Sequence, residues 1–165
     1  MSDESEAIAE GVDFVVVAYR EEGVWQVEQL PERTATDVDT LARELRRWPG
    51  DGGCLGLVSV DEDFFLMLRV AGEHLSVLLS DVTAATDWPI ARSAVEHLSL
   101  PLPEDEDDQV PAGDLGIVAD LGMGAMDMGA LLDDFDLYPD EMLGDIATRL
   151  GFGRQYDDVV AVLTS

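Results

Sequence analysis

Lysine is absent from this chain: all nine basic residues are arginine, against 36 acidic ones, for a formal charge of -27 over 165 residues. Without lysine there is no Walker A loop to grip the phosphates of a nucleotide, so P-loop hydrolysis is excluded. Schiff-base chemistry and pyridoxal phosphate attachment fall for the same reason. Cys54 is the single cysteine, which leaves no internal disulfide, no CxxC redox pair and no thiolate zinc site. The two histidines, His74 and His97, stand in separate elements without a second ligand one helical turn away. No GxSxG elbow is present. The longest apolar runs, 14–19 and 64–68, are far too short to span a bilayer. Residues 1–10 carry four acids and no base, the opposite of a secretory leader. A soluble cytoplasmic protein without cofactor or metal is expected. So much negative charge on a surface of roughly 8,000 Å² repels anions, which argues against direct contact with nucleic acid or an anionic membrane.

Hydrophobic residues make up 47% of the chain, enough for a packed core. Four parts are read along it: an acidic tail (1–11), an α+β sheet domain (12–100), an acidic proline-containing linker (101–111) and a helical appendage (112–165). The linker is placed by three prolines and the run Glu104-Asp-Glu-Asp-Asp108. In the sheet domain, Phe14 to Arg20 and Val24 to Leu30 flank Glu21-Glu22-Gly23 as a hairpin. A helix is predicted from Asp37 to Trp48, where Val38, Leu41, Leu45 and Trp48 keep helical spacing until Pro49-Gly50. Strands follow at Cys54 to Val60, Phe64 to Val70 and His74 to Ser80, then a helix near Asp87 with Pro89 in its first turn. This order, ββ-α-βββ-α, gives a five-stranded antiparallel sheet with helices on a face, like the profilin, longin and roadblock group. After the linker, Leu115 to Ala119 is read as a short strand or a helical turn. Three helices are expected beyond it, at Met126 to Phe135, Asp140 to Leu150 and Gln155 to Leu163. No internal repeat is visible.

The acidic clusters lack calcium-loop spacing: counting from Asp134, position five is Tyr138, position six Pro139 and position twelve Asp145. They read as solvated surface, and the glycine-rich stretches 50–56 and 122–124 as turns. Arg43, Arg46 and Arg47 share one helix face beside Trp48, a concentration of three of the nine positive charges. Two readings stand: pairing with this chain's own carboxylates, or a partner contact anchored by arginine and tryptophan. Met123, Met126, Met128 and Met142 likewise suit either an irregular core or an adaptable partner surface. The candidate interface is therefore Arg43, Arg46, Arg47 and Trp48, with Met126 and Met128 second. No catalytic residue is assigned. A carboxylate-based enzyme would draw on Asp81, Asp87 or Asp120, each beside apolar residues, although capping accounts for Asp81 and Asp87 equally well.

Four stretches carry a family resemblance: Leu55 to Phe65, Ser80-Asp-Val-Thr-Ala-Ala-Thr-Asp-Trp-Pro89, Gly113 to Gly122, and Asp136-Leu-Tyr-Pro-Asp-Glu-Met-Leu-Gly-Asp-Ile-Ala-Thr-Arg-Leu-Gly151. Together they resemble the tRNA adenosine deaminase-associated proteins of actinobacteria, over residues 12–160. The resemblance implies association with the wobble-adenosine deaminase and supplies no site residues. The chain is not itself a zinc deaminase, which needs H-x-E and a distant P-C-x-x-C. His74 is followed by Leu75-Ser76, His97 by Leu98-Ser99, and a second cysteine is lacking. The expectation is a non-catalytic acidic accessory or adaptor that docks by charge complementarity on a basic protein partner. A homo-oligomeric structural protein, or an adaptor for an unrelated partner, is the alternative.

Overall fold

The computed structural model describes residues 11–50, 53–102, 110–134 and 136–164. The acidic tail and the linker's carboxylate run lie outside the described residues. The core is one antiparallel sheet of β1 (Val12–Glu21), β2 (Val24–Gln29), β3 (Cys54–Val60), β4 (Phe64–Ala71), β5 (His74–Leu79) and β6 (Ala112–Gly113). They lie in the order β2-β1-β3-β4-β5-β6. The expected five strands are thus six. The extra strand is two residues long, too short to show alternation, and it pairs Gly113 with Leu78 and Ala112 with Leu79.

Alternation along the strands divides their side chains between two faces. On the first face, Val15, Val17, Val58, Phe64, Leu66, Leu68 and Leu79 meet α1 (Val38–Leu45) and α2 (Pro89–His97). The carboxylate of Asp37 caps α1 by accepting from Thr40 N–H at 2.7 Å. The Oγ of Ser93 in α2 accepts from Val38 N–H at 2.9 Å and so ties the two helices together. On the second face, Phe14, Val16, Leu57, Phe65, Met67 and Leu78 meet α3 (Ala125–Leu132), α4 (Pro139–Leu150) and α5 (Gly153–Thr164). The helices after the linker thus form the third layer of an α+β sandwich.

A hairpin, a 3₁₀ turn and a helix occur twice on the first face, as β1–β2 with α1 and as β4–β5 with α2. Each 3₁₀ turn ends in Thr-Asp, and each threonine donates its hydroxyl three residues back, Thr36 to Arg33 O at 2.7 Å and Thr86 to Thr83 O at 2.9 Å. Sequence inspection finds no repeat because what recurs is the element order and this short turn.

Candidate functional site

Antiparallel pairing gives the sheet two ends, and both carry carboxylates: Asp61, Glu62 and Asp63 at one, Glu21, Glu22 and Glu73 at the other. At one end β3 turns into β4 through Asp61-Glu62-Asp63, closed by Asp63 N–H donating to Val60 O at 2.8 Å. Asp61 and Glu62 both take left-handed backbone, at φ 51° and 52°. The register shift between Val12 and Phe14 leaves the Asp13 carboxylate to accept from Ser59 Oγ at 3.2 Å and Glu62 N–H at 3.0 Å. Next to this turn, Asp81 accepts from the N–H and the hydroxyl of Thr83 at 2.9 and 2.6 Å. Burial pushes the Asp63 carboxyl above its ordinary range, helped by the charge of Asp81 and then those of Asp61 and Asp87. A hydrogen bond from Trp88 acts in the opposite direction.

A cavity of about 200 Å³ opens here. Glu62, Asp63 and Asp81 form one wall, and Leu137, Tyr138 and Met142, at the start of α4, form the other. Tyr138 is exposed, and its backbone N–H donates to the Glu141 carboxylate at 3.0 Å. No arginine lines the cavity. Carboxylates facing an aromatic and an apolar wall can hold an extended cationic side chain, the charge against the acids and the stem against the ring. Among the described residues, no three His, Cys, Asp or Glu side chains come together as a metal site.

The opposite end, where β3 begins, gathers arginine. Arg20 lies 5.4 Å from the Trp25 ring centre. Arg69 donates to the Asp120 carboxylate through both terminal nitrogens, at 2.9 Å for Nη2 to Oδ2, and Nη1 also donates to Ile117 O at 3.0 Å. The sequence-predicted patch is at this end too. Arg43, Arg46 and Arg47 are exposed near the C-terminus of α1, and Trp48 is half-buried against Tyr19 with ring centres 5.6 Å apart. Arg47 meets Glu44 at 3.6 Å. Neither Arg43 nor Arg46 has an ion-pair partner among the described residues.

The methionines part company. Met126 is 90% exposed on α3, while Met128 is fully buried in the second core and fills space there. Cys54 is buried, its thiol donates to Leu45 O at 3.0 Å, and burial pushes its pKa up to about 11, which makes thiolate chemistry unfavourable at neutral pH. The carboxylates weighed for catalysis have structural duties. Asp81 caps a 3₁₀ turn and Asp120 is held below the usual range by its hydrogen bonds from Arg69, whereas the expected capping by Asp87 is not seen: α2 has Trp88 at its N-cap without a side-chain bond, and Asp87 closes the turn only through its backbone N–H to Ala84 O. Sequence reading passed over the cavity at Glu62, Asp63, Asp81 and Tyr138, which come from three separate stretches between residues 62 and 138 and are joined only by the fold. No helix among the described residues is long and apolar enough to cross a membrane.

Residues 13–153 match the family described as Rv3753c-like tRNA adenosine deaminase-associated protein. The chain is 39% identical over 150 residues to Protein Rv3753c of Mycobacterium tuberculosis, covering 89% of this chain and 87% of that one. No solved structure matches, so the profilin, longin and roadblock likeness rests on element order alone.

Proposed function

The chain belongs to the Rv3753c-like tRNA adenosine deaminase-associated protein family, and from that membership we propose that it is a non-catalytic cytoplasmic accessory protein of a tRNA adenosine deaminase. It docks on a basic surface of that enzyme through the carboxylate end of its sheet. The observation that carries this reading is the cavity with Glu62, Asp63 and Asp81 on one wall and Tyr138 and Met142 on the other. A tRNA-modifying enzyme presents cationic surface to phosphate, and a partner with a concentrated carboxylate end complements it. Left-handed Glu62 supports the same reading, because glycine would fill that position with less strain and without the charge.

Light-scattering chromatography of the chain mixed with the deaminase of the same cell tests the proposal. A complex is expected near 50 mM salt that dissociates near 500 mM, where the screening length falls from roughly 14 Å to 4 Å. Reversing the charge of Asp61, Glu62 and Asp63 to lysine should abolish it. A complex indifferent to salt and to this reversal would remove the electrostatic docking mode. Absence of a complex at every salt concentration would remove the association itself.

A further inference from the structure

The arginines of α1 are anomalous in their own protein. The chain holds four carboxylates for every arginine, yet Arg43 and Arg46 have no ion-pair partner among the described residues. Arg43 stands in the last turn of α1, Arg46 caps the helix and Arg47 follows in the closing turn, where the predicted helix to Trp48 has already ended, and all three are exposed. Their distance from the carboxylate end is set by the length of β3, seven residues or about 20 Å. That exceeds the screening length of roughly 8 Å at physiological salt more than twofold. Glu21, Glu22 and Glu73 share this end of the sheet and Glu44 pairs with Arg47, and the net charge of -27 repels a polyanion from the free chain, so the arginines act at contact range rather than through a long-range field.

We propose that this C-terminal end of α1, Arg43, Arg46 and Arg47 beside Trp48, contacts the phosphate backbone of the RNA held by the partner enzyme. The inference rests on the accessory reading above and adds a second surface to it. Guanidinium groups suit phosphate because their planar fork gives two parallel hydrogen bonds to its oxygens. Trp48, packed against Tyr19, fixes the base of this patch. Docking of the Asp61-Glu62-Asp63 end on basic surface that the RNA leaves uncovered buries part of the charge that repels RNA and leaves the arginines outward. Free chain is then a poor RNA binder, and the assembled pair is a better one than the enzyme alone.

The experiment titrates tRNA into the deaminase, into its complex with this chain, and into the complex with the Arg43→Gln, Arg46→Gln, Arg47→Gln variant, between about 50 and 200 mM salt. Three phosphate contacts are expected to steepen the salt dependence of log K by about 2 relative to the variant complex, at roughly 0.7–0.9 per contact. The three side chains are exposed, so the variant should melt with the wild type, and light scattering checks that it still joins the enzyme. Equal slopes for the two complexes would overturn the inference and leave the accessory reading intact. So would weaker tRNA binding by the wild-type complex than by the enzyme alone, which would make this chain a competitor of RNA. Loss of the protein complex in the variant would overturn it by placing the arginines against the enzyme. Loss of a self-association shown by the wild type would overturn it by placing them against a second copy. Failure of the wild-type chain to bind the enzyme would remove both readings together.

Discussion

Glu62 is held at φ 52° next to Asp61 at φ 51°, and left-handed backbone costs an L-residue about 1–2 kcal/mol. Aspartate tolerates the region better than glutamate does. Glu62→Gly is therefore expected to stabilise the free chain by about 1 kcal/mol, a rise in Tm of about 2–4 °C at this size, while weakening the complex with the deaminase. A variant with unchanged or lower Tm would show that the backbone entropy glycine loses on folding outweighs the relieved strain. Asp63 offers a test in pH. Its folded-state pKa is raised, chiefly by burial and by Asp81, so the protonated form is the one the fold favours. That contribution is complete below the ordinary carboxylate pKa of about 3.9 and is lost as pH rises through the raised value. Asp63→Asn, which keeps an acceptor for Trp88, should match the wild type in urea near pH 3.5 and be the more stable of the two near pH 7. The margin is small because the carboxyl is only partly shielded from solvent and its repulsion is screened. A less stable variant at neutral pH would mean that the Trp88 hydrogen bond outweighs the repulsion.

Gly113 in β6 has φ +107°, and a Cβ there would sit 2.1 Å from Val77 O. Gly113→Ala should cost about 2 kcal/mol or more, since strained backbone and a forced contact each contribute about 1–3 kcal/mol. The loss should appear as faster amide exchange from Ala112 through Leu121, the segment that Arg69 pins through Ile117 O and Asp120. Unchanged exchange there would show that the Arg69 bonds suffice without the strand. Such a strand is invisible in sequence because two residues carry no period. The hairpins and α1 were legible for the converse reason: Phe64, Leu66, Leu68 and Val70 alternate, and Val38, Leu41 and Leu45 repeat with helical spacing. The third layer was legible in principle. All seven residues of β3 are buried, and in sequence it and β4 read as apolar runs interrupted only by Ser59 and Arg69, the mark of strands covered on both faces. Reading β4 by one face alone left the helices after the linker as an appendage. The cavity was not legible, because Asp63, Asp81 and Tyr138 meet only through the β3–β4 turn, the end of β5 and the start of α4.

Across the whole molecule, one charge imbalance acts on stability and on docking with opposite signs. At -27 the folded chain repels itself, and unfolding spreads the carboxylates apart, so low salt favours the unfolded state. Four ion pairs among the described residues pull the other way. Each is at least partly exposed, and exposed pairs contribute about 0–1 kcal/mol, which leaves the net repulsion in control. Raising salt from about 50 to 500 mM shortens the screening length roughly threefold and should raise the Tm of the free chain. The same increase should weaken its complex with the deaminase, where the carboxylate end meets charge of the opposite sign. Sodium chloride and potassium chloride should act alike in both assays, because screening depends on ionic strength rather than on a bound cation. A Tm that falls with salt would put the ion pairs ahead of the repulsion. A rise produced by one cation alone would instead indicate a specific ion site. The sheet explains why one chain can show both effects: it holds Asp61, Glu62 and Asp63 together in one turn for a partner, while the mutual repulsion of the carboxylates remains a cost that the free chain carries until that partner binds.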